Sequence, residues 1–202
     1  MTENDPLDAS SLREPSAVSP DAIDEVLRFW FEEAGPRHWW KASKRFDALL
    51  VTRFLDLLQA ASAGELYAWR GTPRGRLAEI IVLDQFSRNV WRNTPRAFAQ
   101  DPMALVLAQE AVATGVPGAL PVAQRVFAIM PYEHSESRII QAQAQRLFGQ
   151  FASAQGVRIQ LEHKTVIDRF GRYPHRNRIL GRVSTPEEET FLNAPARPAW
   201  QR

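Results

Sequence analysis

The chain contains no cysteine. Disulfides, thiol catalysis and cysteine-ligated metals or clusters are therefore excluded. No stretch approaches the roughly 20 consecutive apolar residues that cross a bilayer. The first residues are polar and acidic, without the basic start and apolar run of a signal peptide. The expectation is a cytoplasmic protein with no membrane partner. Lysine is nearly missing, with Lys41, Lys44 and Lys164 only, so positive charge is carried by arginine. The guanidinium fork suits carboxylates and phosphates. Neither sign of charge dominates: the formal net charge is +2, which argues against nucleic acid as a partner. There is no Walker loop, no G-x-G-x-x-G, no G-x-S-x-G elbow and no H-E-x-x-H pair. Alternating apolar and polar runs and Asn-Gly or Asp-Gly turns are also lacking, so strands are not expected.

What is present is helical periodicity. At 202 residues and 45% hydrophobic composition, the length suits one domain with a substantial core. Residues 1–18 read as a disordered leader, 19–193 as a single helical domain and 194–202 as a tail. Ser19 and Pro20 open a first helix that carries Ile23, Val26, Leu27, Trp30 and Phe31 to Gly35. The pair Trp39 and Trp40 reads as an apolar plug between helices. Ser43 opens a second helix with a stripe of Phe46, Leu50, Phe54, Leu57, Leu58 and Ala61. Thr72 and Pro73 open a third, apolar almost all round, which is therefore central and buried. Asp84 and Arg88 continue its row, and charges so placed need partners. Asp101 and Pro102 cap the next helix. A shorter helix from Pro121 is halted by Pro131. Ser135 caps a long helix with Ile140, Ala144, Leu147, Phe148 and Phe151. His163, Ile167 and Phe170 share one side of another helix, which Gly171 closes. Thr185, Pro186 and Glu188 form a capping box. The expected fold is all-α, a single domain of about eight to nine helices. Starts near residues 43, 72, 101 and 135 give the rhythm of tetratricopeptide-like antiparallel helix pairs.

Four stretches together carry a resemblance. They are VLRFWF (26–31), TPRGRLAEIIVLDQFSRNVWRNTPRAFAQDPMAL (72–105), MPYEHSE (130–136) and HKTVIDRFGRYPHRNRILGRVSTPEEETFL (163–192). The chain resembles the bacterial family of the domain of unknown function 924 over nearly its whole length after Pro20. The resemblance implies a helical, tetratricopeptide-like fold and names no activity. It places Asp84, Gln85, Arg88, Asn89, Glu133, His134, Ser135, Glu136, His163, Gly171, Arg172, Pro174, His175, Arg176 and Asn177 at the family's motif positions. Ser87 stands where proline is often expected.

The same stretches hold the residues able to do chemistry. His134, His163, His175 and Glu133 are the candidates for acid–base work. Asp84, Arg88, Asn89, Glu136, Arg172, Arg176 and Asn177 are the candidates for ligand binding, with arginine forks and the chain restart at Pro174 suiting an anion. Three histidines with a carboxylate have the donor types of a metal site, but their spacing matches no signature and no metal ligand is assigned. The cofactor, if any, is left open by the sequence. Two functions compete. One is a site for a small anionic molecule in a pocket lined by His, Arg and Asp, binding or acting on it. The other is a helical-repeat scaffold for a protein partner, in which the same charges form a purely structural network.

Overall fold

The structure is a computed structural model that describes residues 19–195. The expected leader at 1–18 and the tail beyond 195 lie outside the described residues. The described chain is all-α, with eight helices of seven or more residues and no strand. None of its helices is long and apolar enough to cross a membrane.

Helix α1, Pro20–Arg28, starts at Ser19, whose hydroxyl accepts from the Asp21 N–H, and runs on as a π-helical segment, Phe29–Ala34. Gly35 ends it in a positive-φ conformation. After the short α2, Pro36–Trp39, the long α3, Lys44–Ser62, is capped by Ser43. Trp39 acts as the expected plug: its indole N–H donates to the Trp30 carbonyl, and its ring meets Phe127 edge-on at 4.8 Å. Trp40 does not, remaining 65% exposed.

The central helix has three consecutive parts. They are α4, Pro73–Ile81, a π turn, Val82–Phe86, and α5, Ser87–Val90. Leu77, Ala78, Ile80 to Leu83 and Phe86 are buried on every side, as a largely apolar surface requires, and the buried Glu79 among them pairs with Arg70 at 2.7 Å. A π turn inserts an extra residue and re-aims the side chains that follow. Here it carries Asp84 and Gln85, both buried. Phe86 at its end packs on Phe29, Trp30 and Phe54, which ties α1 and α3 to this axis.

The remaining helices are α6, Asp101–Ala113; α7, Val116–Ala119; α8, Val122–His134; α9, Arg138–Phe151; α10, Ala154–Phe170; and α11, Pro186–Asn193. Helices α9 and α10 are antiparallel: Arg138, at the start of α9, donates to the Ile167 and Asp168 carbonyls at the end of α10. The Gln160 side chain meets that of Gln141 further along, at 3.2 Å. Gly171 closes α10 at φ 71°, the left-handed region that favours glycine.

Three local readings of the sequence are corrected. Pro131 does not halt α8, which continues one turn to His134. A proline so near the C-terminus loses one intrahelical bond, and that cost is offset by packing: Pro131 is buried. The cap of α9 is Ser137, not Ser135; the Ser137 hydroxyl accepts from the Ile140 N–H. Asp101 lies on the first turn of α6 with Gln100 at the cap position, which releases its carboxylate for long-range pairing. Accordingly, Ser137→Ala should lower stability by about 1 kcal/mol, the usual worth of a cap, while Ser135→Ala should change it little. Urea unfolding of the two variants checks this.

Candidate functional site

The last carbonyls of a helix have no partners within it. At the end of α8 they are met from three directions. The Gln141 amide donates to the Glu133 carbonyl at 2.7 Å and to the Ser135 carbonyl at 2.9 Å. The Tyr173 hydroxyl also donates to the Glu133 carbonyl. The Arg176 guanidinium donates to the His134 carbonyl at 3.1 Å. These contacts fix where Glu133 and His134 stand, and they bring the connection after α10 against α8.

His134 meets the central helix. Its Nδ1 lies 2.7 Å from Asp84 Oδ1. Burial alone would raise the Asp84 carboxyl, but Arg88 and His134 overcome it and hold the group well below the usual carboxylate range. An ionised carboxylate only accepts, so Nδ1 is the donor and Nε2 keeps its lone pair. No hydrogen-bond partner for Nε2 occurs among the described residues, and the side chain remains 16% exposed. Burial, then the charge of Arg88, lowers the His134 pKa and keeps the ring neutral. The other oxygen of Asp84 accepts from the Gln85 amide at 2.6 Å.

Two arginines converge on Asp101. Arg88 reaches it at 2.9 Å, as well as Asp84 at 3.3 Å, and Arg176 reaches it at 3.0 Å. Both guanidinium groups lie against the Phe98 ring, at 5.8 and 4.6 Å. Arg176 Nε is buried with no hydrogen-bond acceptor among the described residues. With His134 neutral, the charges of Asp84, Asp101, Arg88 and Arg176 cancel. The donors do not, because each guanidinium offers five N–H groups and fewer acceptors meet them.

Glu133 and His163 stand on the inner side. His163 Nδ1 is 2.9 Å from the Ile159 carbonyl and 3.4 Å from Glu133 Oε1. Burial drives the His163 pKa well down. Burial, then the charges of Asp84 and Glu162, pushes the Glu133 carboxyl up to about 8. His175 adjoins this group through Tyr173, with ring centroids 5.7 Å apart.

The remaining candidates belong to neighbouring networks. Arg172 forms a two-toothed pair with Glu188 at 2.7 and 2.8 Å, inside the capping box of α11. Glu188 is lowered to about 2, first by that arginine. Asn177 donates to Glu188 and accepts from Arg182. Glu136 binds Arg182 at 2.6 Å and accepts from the Tyr173 N–H. Asn89 donates to the Gln85 carbonyl and accepts from Arg92, which pairs with Asp47. The structure thus brings Asp84, Arg88, Glu133, His134, His163, His175 and Arg176 into one cluster. It places Asn89, Glu136, Arg172 and Asn177 in pairs around it.

Sequence reasoning missed Asp101, Gln141 and Tyr173. Gln141 had a signal: it shares the apolar face of α9 with Ala144 and Phe148, where an amide demands partners. Asp101 was masked by the Asp-Pro pattern of a helix start. Among the described residues, no group of three or more His, Asp or Glu side chains is arranged to hold a metal ion. Among the described residues, surface cavities lie elsewhere. One of about 310 Å³ is lined mainly by α1, and one of about 290 Å³ lies between Trp91 and the end of α3.

The sequence pattern of a family described as "Bacterial protein of unknown function (DUF924)" matches residues 26–196. A solved structure of a protein of unknown function from Agrobacterium tumefaciens is 36% identical and superposes with a TM-score of 0.82. The alignment covers 86% of this chain and 97% of that one. No curated protein matches.

Removing the Asp84 carboxylate leaves the buried His134 N–H without its acceptor and Arg88 with one carboxylate, Asp101, in place of two. Asp84→Ala should therefore lower stability by about 3–5 kcal/mol at pH 7. A carboxyl with a depressed folded pKa stabilises above its unfolded value, roughly 3.9, and ceases to do so as pH falls further. The gap between variant and wild type should persist at pH 5 and narrow below pH 4, as read by denaturant titrations at each pH.

Proposed function

The chain belongs to the DUF924 family of bacterial proteins of unknown function, and since no activity comes with that membership, we propose one from geometry: it binds a small carboxylate or phosphate beside His134 and acts on it by proton transfer. The observation that carries this reading is the 2.7 Å contact of His134 with Asp84. A buried carboxylate that orients an imidazole, fixes its tautomer and leaves Nε2 open is the arrangement of a general base. A purely structural pair has no need of an open nitrogen.

The arginines support an anionic ligand through hydrogen-bond capacity, not through net charge. Between them Arg88 and Arg176 meet the carboxylates of Asp84 and Asp101 and the carbonyls of Asp84 and His134, and N–H donors still outnumber acceptors at the cluster. An oxyanion is the ligand chemistry that answers such a surplus. Arg172, Asn177, Glu136 and Asn89 are left out of this site, because their side chains are held by partners of their own.

The competing account is a helical scaffold for a protein partner, with the cluster serving only to lock α5, α6, α8 and the segment after α10. The accounts separate by thermal shift. Inorganic phosphate or citrate at a hundredfold excess over its Kd should stabilise the wild type by about 2.7 kcal/mol. The stronger of the two ions identifies the ligand as a phosphate or a carboxylate. His134→Gln should reduce the shift and Arg88→Lys should reduce it further, because lysine cannot present a fork. If neither ion stabilises the wild type, the cluster is structural and the scaffold account replaces this one.

A further inference from the structure

We propose that Glu133 is the proton donor of this site, working opposite His134, and that His163 is the positioning residue that preserves that role; the proposal rests on the ligand-site reading above. The two adjacent residues end α8 with opposite surroundings. The Glu133 side chain is 6% exposed, and its Oε1 is sealed from solvent with no hydrogen bond among the described residues. Asp84 faces it from the central helix, Glu162 and His163 from α10, and Tyr173 from the connection beyond.

No arginine pairs with Glu133 among the described residues. Among the described residues, the basic side chain within 4.0 Å of its carboxyl is His163, and it is neutral. Its Nδ1 proton is directed to the Ile159 carbonyl at 2.9 Å, so the ring fills the space beside Oε1 without supplying charge. Ionising Glu133 would place a negative charge in the interior with no cation paired to it and with the carboxylates of Asp84 and half-buried Glu162 nearby, an expensive state. The carboxyl therefore keeps its proton at neutral pH. His134 is pushed the other way and keeps its lone pair. Neighbouring groups driven apart in this manner form an acid and a base ready at the same pH.

The chemistry that follows is a proton shift on the bound carboxylate or phosphate. His134 Nε2 takes a proton as an O–H or C–H bond of the ligand breaks. The freed electron pair moves along the ligand, and the atom where it collects takes the proton released as the Glu133 O–H bond breaks. An imidazolium and a carboxylate remain. When the product leaves, the proton held by His134 passes back to Glu133, which restores the starting state. The net reaction is an isomerisation that needs no oxidant, reductant or second substrate.

The test is NMR of the full chain with ¹³C-glutamate, ¹⁵N-histidine and ¹⁵N-arginine, titrated from pH 5.5 to 9.5. Sulfate is the anion probe, because it does not titrate in that range. The Glu133 carboxyl should change near pH 8, against roughly 4.3 for an ordinary glutamate. Sulfate should move the His134 and Arg88 signals and shift the Glu133 midpoint upward, since an anion beside it disfavours ionisation. Glu133→Gln should lose the step near pH 8 while retaining the sulfate-induced shifts. His163→Asn should lower the midpoint by letting water reach Oε1. A Glu133 midpoint in the ordinary carboxylate range, or one that sulfate leaves unmoved, overturns the donor role and leaves the anion site standing. If sulfate moves no signal of the cluster, the ligand-site reading itself falls. A midpoint unchanged in folded His163→Asn removes His163 from the proposal. If that variant does not fold, the wild-type and Glu133→Gln titrations still decide the role of Glu133.

Discussion

The arrangement depends on how the end of α8 is finished. A helix that stops inside a protein exposes carbonyls that water cannot reach, and each must find a donor. Here the donors come from α9 and from the segment after α10: the Gln141 amide, the Tyr173 hydroxyl and the Arg176 guanidinium. Because those contacts are obligatory, they set the position of Glu133 and His134 to within hydrogen-bond tolerance. Everything chemical in the cluster follows from that placement. His134 can reach Asp84 only because α8 ends there, and Glu133 is enclosed only because α10 passes beside it.

The charges are distributed in separate compartments. Asp84, Asp101, Arg88 and Arg176 form one group. Arg172 and Glu188 form a second, with Asn177 and the start of α11. Arg182 and Glu136 form a third, tied to the backbone of Tyr173. The preference for arginine over lysine has a physical use in this design. A planar fork can hold a carboxylate with two parallel bonds and still turn a third donor to a carbonyl. Arg172 does so with Glu188 and the Val183 carbonyl, and Arg182 with Glu136 and the Tyr173 carbonyl. The outer groups keep the connection after α10 rigid, and that rigidity holds Arg176 and Tyr173 against α8.

Much of the fold was legible because its signals are local. Ser19, Ser43, Thr72 and Thr185 cap helices as the sequence predicts, since a cap involves neighbouring residues only. The apolar row from Leu77 to Phe86 identified the central helix, since a helix hydrophobic all round has to be enclosed. Local signals also misled where tertiary contacts outweighed them. Pro131 normally ends a helix, but buried packing carries α8 past it. Ser135 and Ser137 are equally good caps in isolation, and only the path of the chain selects the second.

The sequence by itself determined an all-α chain, the position of its helices, and the concentration of unusual polar residues in three stretches. Those properties arise from periodicity and turn chemistry, which act over a few residues. Only the tertiary structure decided which charge meets which. Asp84 and His134 are 50 residues apart, Glu136 and Arg182 are 46, and Asp101 and Arg176 are 75. Several arginines were available to each carboxylate, and composition could not choose among them. Helix packing chose, because a fork and a carboxylate bond only when their backbones come within side-chain reach, and because burial then sets which groups keep their protons.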